Sequence, residues 1–192
     1  MKIVIASPLF PPETAKSGVY SKKLAQQLSK SNKIKIVTYA NEAEAVNGAK
    51  IIKIKKRQAL PCRLFWYTIS LLKESKTADV ILVQNSLACI IPAAIINKLS
   101  TVNIIVIVTE DEIQKRINQN DLVYKNSKNF SNFNFSKIKI KIIEHLQKTT
   151  LNKFQNIICH SDCLEKLLTD NYKINKNKIT NIPAPKTKPI NA

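Results

Sequence analysis

The chain is expected to fold as an α/β protein, a single doubly wound parallel sheet. Three observations predict this. Residues 2–6, Lys-Ile-Val-Ile-Ala, form an apolar run without alternation, as a strand covered on both faces requires. A proline-studded loop and then a helical pattern follow that run directly. Strand-like and helix-like segments alternate from there onward, with no shorter internal repeat.

The opening loop, residues 7–18, is followed by a helix expected from Val19-Tyr20, where Val19, Leu24, Ala25 and Leu28 recur at helical spacing until Ser31-Asn32 break it. Residues 33–39 are β-branched and read as the second strand. After the polar turn of residues 41–48 comes a third strand, 50–54, whose alternating lysines suit a sheet edge. Pro61 opens an amphipathic helix to Lys73, with Leu64, Ile69 and Leu72 expected on its packed face. Its aromatic cluster suits either a bilayer surface or a crossover helix on the sheet, and the crossover is preferred.

Residues 79–84 are the next clear strand. Asn85-Ser86 can cap the helix behind it, which carries Pro92 in its first turns and runs to about Leu99. An apolar strand over 103–109 ends in Thr109-Glu110-Asp111-Glu112. Residues 118–136 are Asn-rich and read as a loop or lid. Ile138, Ile142, Leu146 and Leu151 restore helical spacing over 137–154. A strand at 156–160, a capping-box-like start at Asp162 with Glu165, and a short strand at 178–182 complete the pattern.

A length of 192 residues and 44% hydrophobic content suit one domain, 1–182, with the proline-rich residues 183–192 as an extended tail. The longest apolar stretch, 87–96, is far short of the roughly 20 residues that a membrane span needs. Met1 leads directly into a strand without a secretory pattern, so a cytoplasmic location is expected. Cysteines 62, 89, 159 and 163 form no Cys-x-x-Cys pair and are expected to be buried, inert thiols. No metal is expected: Cys159, His160 and Cys163 offer three ligand groups, but Cys159 lies in a strand-like run and a fourth strong ligand is absent. The net charge of +18 predicts attraction to an anionic partner, unless the lysines are only a solvated face.

Three stretches resemble a known family: residues 2–13 with Gly18-Val19-Tyr20 and the following Leu24-Ala25-Gln26-Gln27-Leu28, then Ala78-Asp79-Val80-Ile81-Leu82-Val83-Gln84-Asn85, then Asn156-Ile157-Ile158-Cys159-His160-Ser161 with Leu164-Glu165-Lys166-Leu167. Together they resemble the N-terminal domain of family 4 glycosyltransferases, retaining sugar-nucleotide enzymes of the GT-B fold, built from two Rossmann-like domains. The resemblance implies a Rossmann-like domain that meets the acceptor, and a sugar nucleotide as co-substrate with no further cofactor.

It also implies site residues. In the family the opening loop carries two adjacent glycines that bring backbone amides to the donor diphosphate; here Ala15-Lys16 stand there, followed by Ser17 and Gly18. A His-Asp or Gly-Asp pair commonly faces the transferred sugar; Thr109 and Glu110 occupy that place as candidate catalytic residues, with Asp111 as a further substrate contact. Three consecutive acids before a helix are equally ordinary partners of its dipole. Gln84-Asn85 and His160-Ser161 end their strands on the carboxyl edge, where open α/β sheets bind ligands; His160-Ser161 departs from the family's Pro-Ser.

The family holds the nucleotide mainly with a C-terminal domain rich in glycine loops, whereas this chain has only Gly18 and Gly48. The expectation is an acceptor-side half that needs a donor-binding domain on another chain and transfers a hexosyl group to an envelope glycan or lipid-linked acceptor. The alternatives are a truncated relic and a non-catalytic basic module. For such a module an anionic membrane surface is preferred to nucleic acid, since no nucleic-acid motif is present.

Overall fold

The computed structural model describes residues 1–13, 16–110 and 131–183. A parallel sheet of seven strands runs in the order β3-β2-β1-β4-β5-β6-β7. Its strands are β1 (Lys2–Ser7), β2 (Lys33–Tyr39), β3 (Ala49–Ile54), β4 (Val80–Gln84), β5 (Asn103–Val108), β6 (Asn156–Cys159) and β7 (Ile179–Asn181). The helices are α1 (Lys16–Leu28), α2 (Leu60–Ser75), α3 (Leu87–Leu99), α4 (Ser131–Leu151) and the short α5 (Asp162–Lys166), which continues as a π-helical turn over Leu167–Asn171. The expected doubly wound fold is borne out, and β3, with its lysines, lies at an edge.

Strand order reverses between β1 and β4. Right-handed crossovers therefore send α1 to one face and α2, α3 and α4 to the other. Two cores result. The larger joins Val4, Ala6, Val37, Ile81, Val83, Val106, Val108 and Cys159 of the sheet to Tyr67 and Leu71 of α2, Ile90 and Ile96 of α3, and Leu151 of α4. The smaller joins Ile3, Ile5, Ile34 and Ile36 to Ala25 of α1 and Phe10 of the opening loop. Burial on both faces explains why these strands read as continuous apolar runs.

Several boundaries and faces differ from expectation. Helix α1 begins at Lys16, not at Val19, so Lys16, Ser17 and Gly18 form its first turn. In α2 the buried face is Tyr67, Leu71 and Ser75, and Ile69 is exposed. Tyr67 decides this rotation: its hydroxyl donates to the Val37 carbonyl at 3.1 Å and its ring stacks on Tyr39 at 4.3 Å. Residues 131–136 belong to α4, so the expected loop ends earlier; its residues 118–130, like 184–192 of the tail, lie outside the described residues.

Of the four residues whose spacing predicted α4, Ile138, Ile142 and Leu146 are exposed and Leu151 is buried, together with Gln147 and Thr150. Ser161, not Asp162, caps α5, its hydroxyl accepting from the Leu164 amide at 3.2 Å. Cys89 and Cys159 are buried as expected, but Cys62 and Cys163 are exposed because they fall on the solvent sides of α2 and α5.

Candidate functional site

Ala6, Val37, Val83, Val108 and Cys159 all face the three-helix core. Side chains alternate along a strand, so the residue after each turns to the α1 face at the carboxyl edge. Those residues are Ser7, Thr38, Gln84, Thr109 and His160: one polar side chain on each of five neighbouring strand ends. Such an edge, at the reversal of strand order, is where this architecture gathers ligand contacts.

The stripe is roofed at one side by α1. Ser7 and Ser21 share a hydrogen bond of 3.0 Å, and the Ser7 hydroxyl also lies 2.6 Å from the Leu9 carbonyl. Farther along, Tyr20 on α1 reaches His160 beyond β6, hydroxyl to Nε2 at 3.0 Å, with the rings 5.4 Å apart. Because α1 packs on β1 and β2, this contact spans the ends of β4 and β5. The other ring nitrogen, Nδ1, lies 2.8 Å from the Ile182 carbonyl, which can only accept. In the neutral ring Nδ1–H therefore donates to Ile182, and Tyr20 donates to Nε2. Burial pushes the Tyr20 phenol upward from its ordinary pKa, so it stays a donor.

Gln84 ends β4 beneath this roof. It is 2% exposed, and both atoms of its side-chain amide are buried without a hydrogen-bond partner. The Thr38 hydroxyl is buried and unpartnered in the same stripe. Buried polar groups are nearly always satisfied, and leaving one unpaired costs about 1–3 kcal/mol. Neighbouring Asn85 is held from the other side of the sheet, its Oδ1 accepting from Gln147 Nε2 on α4 at 3.2 Å.

The opening loop is pinned at several points. Phe10 is fully buried, the Pro11 carbonyl accepts from the Glu44 amide at 2.8 Å, and Glu13 pairs with Lys56. Gly18 packs so closely that a Cβ there would lie 3.2 Å from the Leu9 carbonyl oxygen and 3.3 Å from Phe10 Cα. Thus Gly18 is buried against the opening loop in the first turn of α1. The backbone amides of Lys16 and Ser17 lie in the first turn of a 13-residue helix, a position favourable to anions.

Of the sequence candidates, Gln84, Thr109 and His160 gather on one edge and one face. Glu110, half-buried, follows Thr109 directly. Ser161 spends its hydroxyl on the α5 cap. Ala15 and Asp111 lie outside the described residues. Sequence reasoning missed Tyr20, Ser7, Ser21, Thr38 and Gln147. The end of the apolar run of β1 at Ser7 and the polar Thr38 between the apolar Val37 and Tyr39 of β2 are signals that could have found these two, but nothing in the sequence pairs Tyr20 with His160.

No family model and no curated protein matches the chain. Its structure is similar to HepE from Anabaena, solved with UDP and glucose, at a TM-score of 0.64, 10% identity and coverage of 95% of this chain and 44% of that one. It is also similar to a glycosyltransferase from Rickettsia africae, at a TM-score of 0.56, 12% identity and coverage of 95% and 42%. A UDP-GlcNAc 2-epimerase from Methanocaldococcus jannaschii gives a TM-score of 0.55 at 14% identity, with coverage of 95% and 45%. At these identities the likeness shows the fold: a Rossmann-like half of the GT-B architecture. The chain spans under half the length of each of these proteins.

Proposed function

We propose that this chain is the acceptor-side half of a retaining, sugar-nucleotide-dependent glycosyltransferase of family 4 type, completed by a donor-binding half. The observation that carries the proposal is the polar stripe at the carboxyl edge, with the unpartnered amide of Gln84 buried in it. Amide and hydroxyl groups on a rigid sheet edge suit the many donors and acceptors of a sugar. The fold supports the reading, since proteins with this half-domain include a glycosyltransferase and one solved with UDP and glucose.

In this reading Gln84 and Thr109 orient sugar hydroxyls, Glu110 aligns the transferred hexose, and His160, with both ring nitrogens engaged, borders the site by holding Tyr20. The first-turn amides of α1 meet the diphosphate, assisted by the charge of Lys16. Asn85 and Ser161 complete the proposed contacts at the edge of the site, and Ala15 and Asp111 are proposed as further substrate contacts by resemblance alone. The acceptor is an envelope glycan or a lipid-linked saccharide at the inner face of the membrane. The chain itself supplies positioning; stabilising the leaving diphosphate, a contribution often worth several kcal/mol, falls to the other half.

The test pairs the purified chain with a separately expressed glycine-rich Rossmann domain, sought in the reading frames adjacent to its own. Alone, the chain is expected to show weak binding and no turnover of sugar nucleotides by titration calorimetry and transfer assay. With the second domain, transfer with retention at the anomeric carbon is expected. Micromolar binding and multiple turnovers by the isolated chain would overturn the half-enzyme reading.

A further inference from the structure

Helices α2, α3 and α4 lie side by side in one layer, so the residues they turn away from the sheet share an outer face. That face is unusually apolar. From α2 it exposes Phe65 and Trp66, the latter 51% accessible, with Ile69; from α3, Ile95 and Leu99; from α4, Ile138, Ile142 and Leu146 at successive turns. Phe65 and Trp66 also stack edge to face with centroids 5.6 Å apart, forming a solvent-exposed aromatic ridge. Soluble proteins seldom leave so many large apolar side chains uncovered on one side.

The charge between these residues is almost all of one sign. Lys73, Lys76, Lys98 and Lys141 are exposed within or at the ends of the same helices. Among the described residues of the three helices, Glu144 is the one exposed acid, because Glu74 is half-buried and pairs with Lys35. A second copy docked on this face through a two-fold axis would set lysine against lysine. A surface combining apolar depth with uniform negative charge matches both features: aromatics prefer the headgroup boundary, aliphatics reach the acyl region, and lysine tips stay with anionic headgroups.

We infer that the outer face of α2, α3 and α4 is a docking surface for an anionic lipid bilayer. The inference stands whether or not the chain transfers sugar. It also has a geometric consequence. Helix α2 begins where β3 ends, so Phe65 and Trp66 lie toward the carboxyl edge, and docking through them sets the helix layer and the sheet between the bilayer and the polar stripe, which faces α1.

Trp66 is the single tryptophan and so reports its own depth. The full chain is mixed with phosphatidylcholine vesicles with and without phosphatidylglycerol, across a salt series reaching about 1 M, where the Debye length is about 3 Å. Sedimentation with the anionic vesicles only, a blue shift of Trp66 emission, and quenching by brominated acyl chains are expected. Combining Lys73→Gln, Lys76→Gln and Lys141→Gln is expected to lower partitioning by roughly two orders of magnitude, about fivefold per charge removed. Phe65→Ser with Ile142→Ser is expected to abolish it, with circular dichroism reporting the fold of each variant. Absence of anionic-vesicle binding by the native chain at low salt would overturn the inference. So would binding that leaves Trp66 unshifted and unquenched, or a lipid-free dimer that shifts Trp66 by itself.

Discussion

The Tyr20 hydroxyl and His160 Nε2 meet at 3.0 Å, joining the first helix to the end of β6 across 140 residues of sequence. The contact bridges from α1, packed on β1 and β2, to the end of β6, and so spans the part of the edge where β4 ends in Gln84. Tyr20→Phe removes the donor and is expected to destabilise the chain by about 1 kcal/mol, the usual net worth of one hydrogen bond. His160→Ala, which also frees the Ile182 carbonyl, is expected to cost about 1–2 kcal/mol. Urea denaturation of both single variants and the double variant should give a coupling of about 0.5 kcal/mol or more; strict additivity would show that the pair is not coupled.

Gln84→Leu is expected to raise stability by about 1–3 kcal/mol, because it replaces an unsatisfied buried amide with an apolar group of similar size. The same substitution should weaken whatever ligand uses the amide. Thermal unfolding read beside ligand titration distinguishes the cases. A loss of stability would mean that the amide is satisfied in solution, most simply by a buried water.

Gly18→Ala tests how rigidly the opening loop packs on α1. The atoms facing a new Cβ, the Leu9 carbonyl and Phe10 Cα, are backbone and cannot swing aside as a side chain would. The helical preference of alanine, worth up to about 1 kcal/mol, opposes this clash. A net loss of about 1–3 kcal/mol in denaturant is expected, as for other overpacked sites. Unchanged or improved stability would show that the loop yields.

The stacked Tyr39 and Tyr67 predict an alkaline limit to stability. Burial chiefly, and then the Cys89 charge, raise both phenols well above their ordinary value of 10.0; the Arg63 guanidinium over Tyr39 opposes this only partly. Their folded pKa values lie above the unfolded ones, so their stabilisation is complete below about pH 10. Above it the unfolded chain loses protons that the native chain retains, and stability declines. Denaturation midpoints should therefore fall between pH 9 and pH 11, approximate values on either side of that unfolded pKa. The fall should be shallower in Tyr39→Phe, which removes one of the two phenols. An equally steep fall in that variant would assign the pH dependence to other groups.

Much of this protein was legible in its sequence because burial on both faces writes itself locally. The unbroken apolar runs of β1, β4 and β5, each with a helix after it, determined a parallel doubly wound sheet, and the carboxyl ends of β4, β5 and β6 pointed to Gln84, Thr109 and His160. The lysines of β3 marked an edge. Tertiary structure decided what depends on rotation about a helix axis or on distant partners. Which side of α2 is buried follows from Tyr67 finding the Val37 carbonyl and the Tyr39 ring, so Ile69 turns outward. The apolar spacing of α4 is compatible with facing either the core or the surroundings, and only packing against α3 turned Ile138, Ile142 and Leu146 away. The Tyr20–His160 contact exists only because strand order reverses at β1 and β4, which carries α1 to the face opposite the other crossovers. Periodicity records that a residue is apolar or polar at a given turn; it does not record which distant group will meet it.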